Sequence, residues 1–163
     1  MSSDEPGDPD DPEEAGALLY RTALALLARR EHTRLELAAK LARHGAGAGI
    51  IAAVLDRLQA EQLLSEQRFA EVYAATRFDR GYGPLRLRAE LRERGVSEAI
   101  VSDILAGFDA QWTARLAALA RRRFGPQPPK DARERAQRTA FLRGRGFTGE
   151  QIARLMRRDP GDD

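Results

Sequence analysis

Residues 85–105 read LRLRAELRERGVSEAIVSDIL, and this stretch decides how the fold is interpreted. Leu87 and Leu91 lie four residues apart, which places them on one face of a helix, and Gly95 follows four residues later. Glycine is the preferred residue where a helix ends in a left-handed turn. Apolar residues then return at helical spacing, at Val101, Ile104 and Leu105. The stretch therefore predicts two short helices that join at Gly95.

The same pattern occurs three times when Gly45, Gly95 and Gly146 are aligned. Four positions before each glycine stands a leucine, and nine positions after it stands an aliphatic residue: Leu41, Leu91 and Leu142, then Val54, Ile104 and Leu155. The third copy departs from the others at Arg138, because the first two have leucine at that place. A pattern repeated at this period is typical of tandem repeats that stack on their neighbours.

With a further helix at the start of each copy, the pattern predicts an all-α fold. We expect three tandem three-helix repeats, helix-turn-helix-like, forming an elongated, curved array. The predicted repeats are 16–64, 65–110 and 111–158. Helix start signals agree, since Pro84 suits a first turn and three pairs have capping-box spacing: Thr33 with Glu36, Asp131 with Glu134, and Thr148 with Gln151.

Both ends of the chain are acidic and poor in apolar side chains. We expect residues 1–15 to be a disordered acidic tail and residues 159–163 to be an acidic C-terminal tail. The N-terminal tail could compete with nucleic acid for the arginines, or it could only aid solubility. Neither end carries a basic signal segment, and no apolar run approaches the length needed to span a bilayer. We expect a cytoplasmic monomer with no membrane partner.

The body between the tails is strongly basic. Ten of the 25 acidic residues lie in 1–14 and 159–163, whereas all 27 Lys and Arg residues lie in 15–158. The body therefore carries 27 basic against 15 acidic residues, a net charge of +12. Such an excess indicates a polyanionic or acidic partner.

The motifs of common catalytic sites are missing from the sequence. It has no cysteine, no glycine-rich phosphate loop and no nucleophile elbow, and His32 and His44 are its two histidines. Each histidine is placed near a helix end beside charged neighbours, where an imidazole more often caps a helix than binds a metal. We therefore expect no enzymatic activity, no cofactor and no metal site.

Two arginine-rich segments are the candidate binding sites. The first surrounds the sharp Gly-Tyr-Gly-Pro joint, and its candidate residues are Arg80, Tyr82, Arg86, Arg88, Arg92 and Arg94. The second lies near the C-terminus, and its candidates are Arg121, Arg122, Arg123, Arg143 and Arg145. Guanidinium groups bind phosphates or carboxylates in pairs of hydrogen bonds, and a tyrosine ring can stack on a base. The alternative is that these residues form solvated helix faces, with Tyr82 packed as a filler of the joint.

Two classes of function fit these features. A helix-turn-helix protein would read duplex DNA with one helix, but no helix here carries an evident base-reading face. A repeat-built adaptor would instead lay an extended surface along a polymeric or protein partner.

Several segments resemble the RecX family of regulatory proteins. They are 25–37 (ALLARREHTRLEL), 68–71 (RFAE), 80–84 (RGYGP), 90–95 (ELRERG), 123–125 (RFG) and 141–147 (FLRGRGF). The similarity spans about residues 18–158, and the middle segments are its most specific part. One departure is Gln67, where an aspartate is common in the family, so any contact that this aspartate makes is not expected here.

The resemblance implies a function as well as a fold. It implies binding in the helical groove of the RecA–DNA filament, with inhibition of RecA recombinase, ATPase and coprotease activities. The expected partners are then RecA and DNA. The DNA is single- or double-stranded and is bound weakly and electrostatically. A DNA-binding helix-turn-helix protein without RecA specificity remains the alternative.

Overall fold

The computed structural model of this chain describes residues 11–157, which form nine α-helices and no β-strand. The helices are α1 (Pro12–Leu27), α2 (Arg34–Ala42), α3 (Ala48–Ala60), α4 (Glu66–Asp79), α5 (Pro84–Glu93), α6 (Glu98–Ala106), α7 (Trp112–Phe124), α8 (Ala132–Gly144) and α9 (Gly149–Arg157). They fall into three groups of three along the chain. The predicted all-α fold of three tandem three-helix repeats is confirmed.

The chain divides into two compact units, with the boundary between Phe69 and Ala70 inside α4. In the first unit α1 and α2 both pack on α3, and each helix contributes apolar side chains to one core. The buried residues of this core are Leu19, Ala23, Leu37, Leu41, Ile51, Val54, Leu55, Leu58 and Leu64. Each helix alone is too short to be stable, so this shared core holds the repeat together.

The second unit contains the second repeat from Ala70 onwards and the third repeat, around an aromatic centre. Phe78 of α4 stacks on Phe108 with ring centroids 4.6 Å apart, and Trp112 of α7 meets Phe78 edge-on at 5.1 Å. Phe147 is almost completely buried and approaches the same tryptophan edge-on at 6.3 Å. Rings from both repeats therefore fill one core.

The first helix begins earlier than the sequence predicted. We assigned residues 1–15 to a tail, but α1 starts at Pro12. Asp11 caps this helix by accepting a hydrogen bond of 2.9 Å from the Glu13 N–H, and Glu13 and Glu14 lie in the first turn, where negative charge is favourable. These acidic residues therefore form the start of a helix and are not part of a tail. Residues 1–10 and the predicted tail 159–163 lie outside the described residues.

The aligned glycines do end the middle helices in left-handed backbone. Their φ angles are +78° at Gly45, +85° at Gly95 and +92° at Gly146. At each of the three predicted pairs the first residue accepts a hydrogen bond from the N–H of the second, and Thr148 and Gln151 also form the reciprocal bond, with distances of 3.1 and 2.9 Å. Local signals in the sequence therefore placed these helix ends correctly.

A close backbone contact joins the second repeat to the third. The Gly83 N–H donates to the Arg145 carbonyl at 2.7 Å, and the Leu85 N–H donates to the Gly146 carbonyl at 2.9 Å. A Cβ on Gly83 would lie 2.5 Å from the Gly146 carbonyl oxygen, and a Cβ on Gly146 would lie 2.4 Å from Arg86 Cβ. Both glycines are needed because any side chain would push these segments apart.

A second link joins α4 to α5 through the carboxylate of Glu90. It accepts hydrogen bonds from Arg77 Nε at 2.7 Å, from Tyr73 Oη at 2.7 Å and from Arg86 Nε at 3.0 Å. Burial by itself raises the pKa of Glu90, but the hydrogen bonds from Arg77, Tyr73 and Arg86 outweigh it and lower the pKa to about 2. Glu90 is therefore charged in the folded protein at any ordinary pH.

Replacing Gly83 with alanine should destabilise the second unit. Overpacking of this kind costs about 1–3 kcal/mol, and each kcal/mol lowers the Tm of a chain of this size by about 2–4 °C. The matched control is Gly47→Ala, because Gly47 is also a helix N-cap with extended backbone and a Cβ there meets nothing within 4 Å. Thermal unfolding followed by circular dichroism should show a lower Tm for Gly83→Ala alone. Equal Tm values for the two variants would contradict the steric argument.

The carboxylate of Glu90 should make stability depend on pH in acid. Its folded-state pKa lies below its unfolded value, so its contribution is complete above pH 4.5 and is lost as the pH falls towards 2. The shift corresponds to roughly 3 kcal/mol. In urea unfolding, Glu90→Gln should be less stable than the parent at pH 7, and the difference should shrink steadily below pH 4.5. A difference that stays constant down to pH 3 would show that the charge of Glu90 is not responsible.

Candidate functional site

Tyr82 lies at the joint between α4 and α5, and the sequence of the joint fixes its position. Gly81 adopts φ +81°, and Pro84 starts α5 with its restricted φ. Three guanidinium groups lie over the half-buried ring of Tyr82, at 4.2, 4.5 and 5.0 Å from the ring centroid: those of Arg77, Arg86 and Arg145. From the sequence, we suggested that the ring of Tyr82 could stack on a base. In the structure, cation–π contacts with three arginines occupy the ring instead.

Arg145 joins the two arginine-rich segments that the sequence treated separately. Its guanidinium lies 5.0 Å from the Tyr82 ring and 5.3 Å from the ring of Phe141 in α8. It also donates a long hydrogen bond of 3.5 Å to the Arg80 carbonyl. One side chain thus connects the joint before α5 with the end of α8.

A pair of aromatic rings extends this surface towards the end of α7. Phe124 and Phe141 meet edge-to-face with centroids 5.4 Å apart. The guanidinium of Arg123 lies 5.4 Å from each of these rings, and that of Arg138 lies 5.1 Å from Phe124. We call the whole set the arginine–aromatic cluster, and its members are Arg77, Tyr82, Arg86, Arg123, Phe124, Arg138, Phe141 and Arg145.

The cluster carries more positive than negative charge. Glu90 pairs with Arg77 and Arg86, and Glu134 pairs with Arg138. Within the described chain, Arg123 and Arg145 form no ion pair. Five guanidinium groups therefore face two carboxylates, which favours the binding of an anion.

Four members of this cluster are not among the candidate binding residues named from the sequence. Arg77 and Phe141 come close to Tyr82 and Arg145 only through packing, although the spacing of Phe141 and Arg145 at i,i+4 was visible in the sequence. Phe124 follows the Arg121–Arg123 run directly. Arg138 stands where the other repeats have a core leucine, and it is buried. Its guanidinium is satisfied there by hydrogen bonds to Glu134 and, at 2.8 Å, to the Gln127 carbonyl.

The other predicted arginines, in α5 and at its C-cap, point elsewhere. Arg94 stacks on Tyr73 at 4.6 Å and donates to the Glu90 carbonyl at 3.0 Å. Arg88 and Arg92 both pair with Glu98 at the start of α6. No acidic residue lies four positions from Arg88 or Arg92 in the sequence. The partner is on the next helix instead.

Four further candidates are exposed and form no ion pair within residues 11–157: Arg80, Arg121, Arg122 and Arg143. Three of them belong to the third repeat, where residues 109–157 contain twelve Lys and Arg residues against four Asp and Glu residues. The ion pairs that the arginines of this segment make are Arg115–Asp79, Arg138–Glu134 and Arg154–Glu150. Most of the positive charge of the third repeat thus has no counter-charge among residues 11–157.

The remaining titratable groups do not gather into a second site in the part of the chain that the structure describes. No group of three or more His, Asp and Glu residues there is arranged to hold a metal. His32 is buried, with Nδ1 3.0 Å from the Arg30 carbonyl and Nε2 2.9 Å from Lys40 Nζ, and burial lowers its pKa. None of the nine described helices has the length and apolar character needed to cross a membrane.

Comparison with known proteins gives consistent matches for all three repeats. Family models for the first, second and third three-helix domains of RecX match residues 20–58, 65–105 and 109–156. "Regulatory protein RecX" of Halorhodospira halophila is 47% identical over 142 residues, covering 85% of this chain and 88% of that protein. The protein of the same name from Pseudomonas syringae pv. tomato is 46% identical over 145 residues, covering 89% and 94%.

Solved structures support the same fold. The crystal structure of RecX from Lactobacillus salivarius superposes with a TM-score of 0.77 at 21% identity, covering 88% of this chain and 96% of that one. A second crystal structure, of regulatory protein RecX, gives 0.74 at 23% identity, covering 88% and 72%. The three domain matches span more than half of the chain, in the order first, second, third, and the chain belongs to the RecX family.

Proposed function

We propose that this chain is a non-enzymatic regulator that binds in the groove of the RecA–DNA filament in the cytoplasm and inhibits the recombinase, ATPase and coprotease activities of RecA. It acts as a monomer and needs no cofactor. The observation that carries the proposal is the excess of basic residues in the third repeat, most of them without an ion pair among the described residues, next to the arginine–aromatic cluster, in a chain of the RecX family. A filament wrapped around DNA offers both phosphates and acidic side chains to such a surface.

The division of the arginines into two kinds supports this proposal. Arginines of the cluster are held by rings and by Glu90, so their positions are fixed before a partner arrives. Arg121, Arg122 and Arg143 are exposed and lack internal ion pairs in the described chain, so their donors are available to phosphate oxygens. Contacts to phosphates position a protein on nucleic acid without reading its sequence, which suits a filament formed on any DNA.

Adding the protein to RecA on single-stranded DNA should slow ATP hydrolysis and strand exchange, without ATP hydrolysis by the protein itself. The physical reason is occupation of the groove, which opposes the filament movements that both activities need. The measurement is a coupled ATPase assay at increasing protein concentration. An unchanged RecA ATPase, together with selective binding to one duplex sequence, would contradict the proposal and favour the helix-turn-helix alternative.

Replacing Arg121, Arg122 and Arg143 together with glutamine should weaken binding to DNA and inhibition of RecA. Each lost phosphate contact should reduce the slope of log affinity against log salt by about 0.7–0.9. The triple change Arg21→Gln, Arg29→Gln and Arg43→Gln is the matched control, because these first-repeat arginines are also exposed and form no ion pair in the described chain. It removes the same charge.

Fluorescence anisotropy with a labelled oligonucleotide over a salt series measures both triple variants. We expect a flatter salt dependence for the third-repeat variant than for the control. Equal losses of affinity and equal slopes would show that the total charge matters and that the third repeat is not a specific surface.

A further inference from the structure

Four side chains of the second repeat form a small polar group on the surface between α5 and α6. Glu98 accepts from Arg88, lies 3.6 Å from Arg92 Nε, and accepts from Ser102 Oγ at 3.1 Å. Arg88 Nη1 also lies 3.5 Å from Ser102 Oγ. We call this set (Arg88, Arg92, Glu98 and Ser102) the Glu98 group. One carboxylate thus lies between two guanidinium groups.

The first repeat shows that the fold does not need the Glu98 group. With Gly45 aligned on Gly95, the four corresponding positions all carry alanine: Ala38, Ala42, Ala48 and Ala52. In that repeat α2 still packs on α3, with Leu37 and Leu41 fully buried. The polar side chains of the second repeat are therefore an addition to a helix pair that is held by its apolar face.

The contacts within the Glu98 group are also easily exchanged. The side chains of Arg88, Arg92 and Glu98 are 38%, 64% and 49% exposed. Ion pairs at such exposure contribute little to stability, because water solvates the separated partners well. Two guanidinium groups against one carboxylate leave one positive charge, so an incoming anion can replace Glu98 at small cost.

We propose that Arg88 and Arg92 form a binding site for an acidic side chain, aspartate or glutamate, on the surface of RecA, and that Glu98 occupies this site until the partner displaces it. This inference rests on the proposed function. Glu98 then acts as an internal competitor, which weakens binding to RecA and requires the incoming carboxylate to fit the same two arginines.

The charge of the second repeat favours a carboxylate over a phosphate as the ligand. Residues 65–108 contain seven arginines and seven acidic residues, so this segment carries no net charge to attract a polyanion. The third repeat, by contrast, has a large excess of basic residues. The site on the second repeat already holds a carboxylate between two guanidinium groups, and this geometry suits another carboxylate on a protein surface.

The test measures the Kd of the full chain for RecA filaments assembled on oligo(dT) with a slowly hydrolysed ATP analogue, and separately for the bare oligonucleotide. Glu98→Gln removes the competitor and should lower the filament Kd about two- to fivefold. The matched control is Asp56→Asn, which makes the same charge change on α3 of the first repeat and breaks one exposed ion pair, with Arg34. The Glu98 variant should bind filaments more tightly than the Asp56 variant, and the two should bind the bare oligonucleotide equally.

A second variant removes the site while keeping the fold. Changing Arg88, Arg92, Glu98 and Ser102 to alanine reproduces the surface of the first repeat, so circular dichroism should show unchanged helicity. Its filament Kd should rise at least tenfold, with little change in its Kd for the bare oligonucleotide.

Three results separate the outcomes. Tighter filament binding by Glu98→Gln together with selective loss in the alanine variant supports the inference. If Glu98→Gln binds filaments no better than Asp56→Asn, or if the alanine variant loses affinity for the bare oligonucleotide as well, the carboxylate site is overturned. If the parent chain fails to bind RecA filaments at all, the proposed function fails first, and the inference fails with it.

Discussion

The close approach of two backbone segments, at Gly83 and at Gly146, is the constraint on which the rest of the second unit depends. Two hydrogen bonds join these segments, and no side chain fits between them. Because the contact fixes the joint before α5 against the turn before α9, it also sets where Tyr82 and Arg145 meet. The arginine–aromatic cluster is a consequence of this contact, since its members come from helices of two different repeats.

The three repeats share one helical framework but use their surfaces differently. The first has alanines where the second has the Glu98 group. The second has equal numbers of basic and acidic residues, whereas most arginines of the third form no ion pair within the described part of the chain. The position of the core leucine in α2 and α5 is even taken by an arginine in α8, held by Glu134 and by the Gln127 carbonyl. Apolar packing and glycine turns preserve the framework, so exposed positions are free to differ between repeats.

The fold was predictable from the sequence because its signals are local. Leu87 and Leu91 mark a helix face, Gly95 marks its end, and repetition of the pattern gives the number of units. The start of α1 was misplaced because acidic composition suggests disorder, while Asp11 followed by Pro12 is also a helix start.

The candidate site was only partly predictable, because its geometry depends on contacts distant in sequence. Composition identified most of the arginines, yet the pairing of Arg88 with Glu98 depends on how α5 crosses α6. The position of Arg145 over Tyr82 depends on how two repeats dock, and no spacing rule links residues so far apart.

The contact between Gly83 and Gly146 also affects the order in which the chain folds during synthesis. Gly146 follows Gly83 by 63 positions in the sequence. At roughly 5–20 residues per second, the ribosome needs several seconds to synthesise this stretch. During that interval the Gly83 and Leu85 N–H groups lack their final acceptors, which are the carbonyls of Arg145 and Gly146. The first unit has its whole core before this point, since Leu64 is the last residue of that core. The nascent chain therefore completes its N-terminal repeat first, and the second repeat reaches its final packing only when the third emerges.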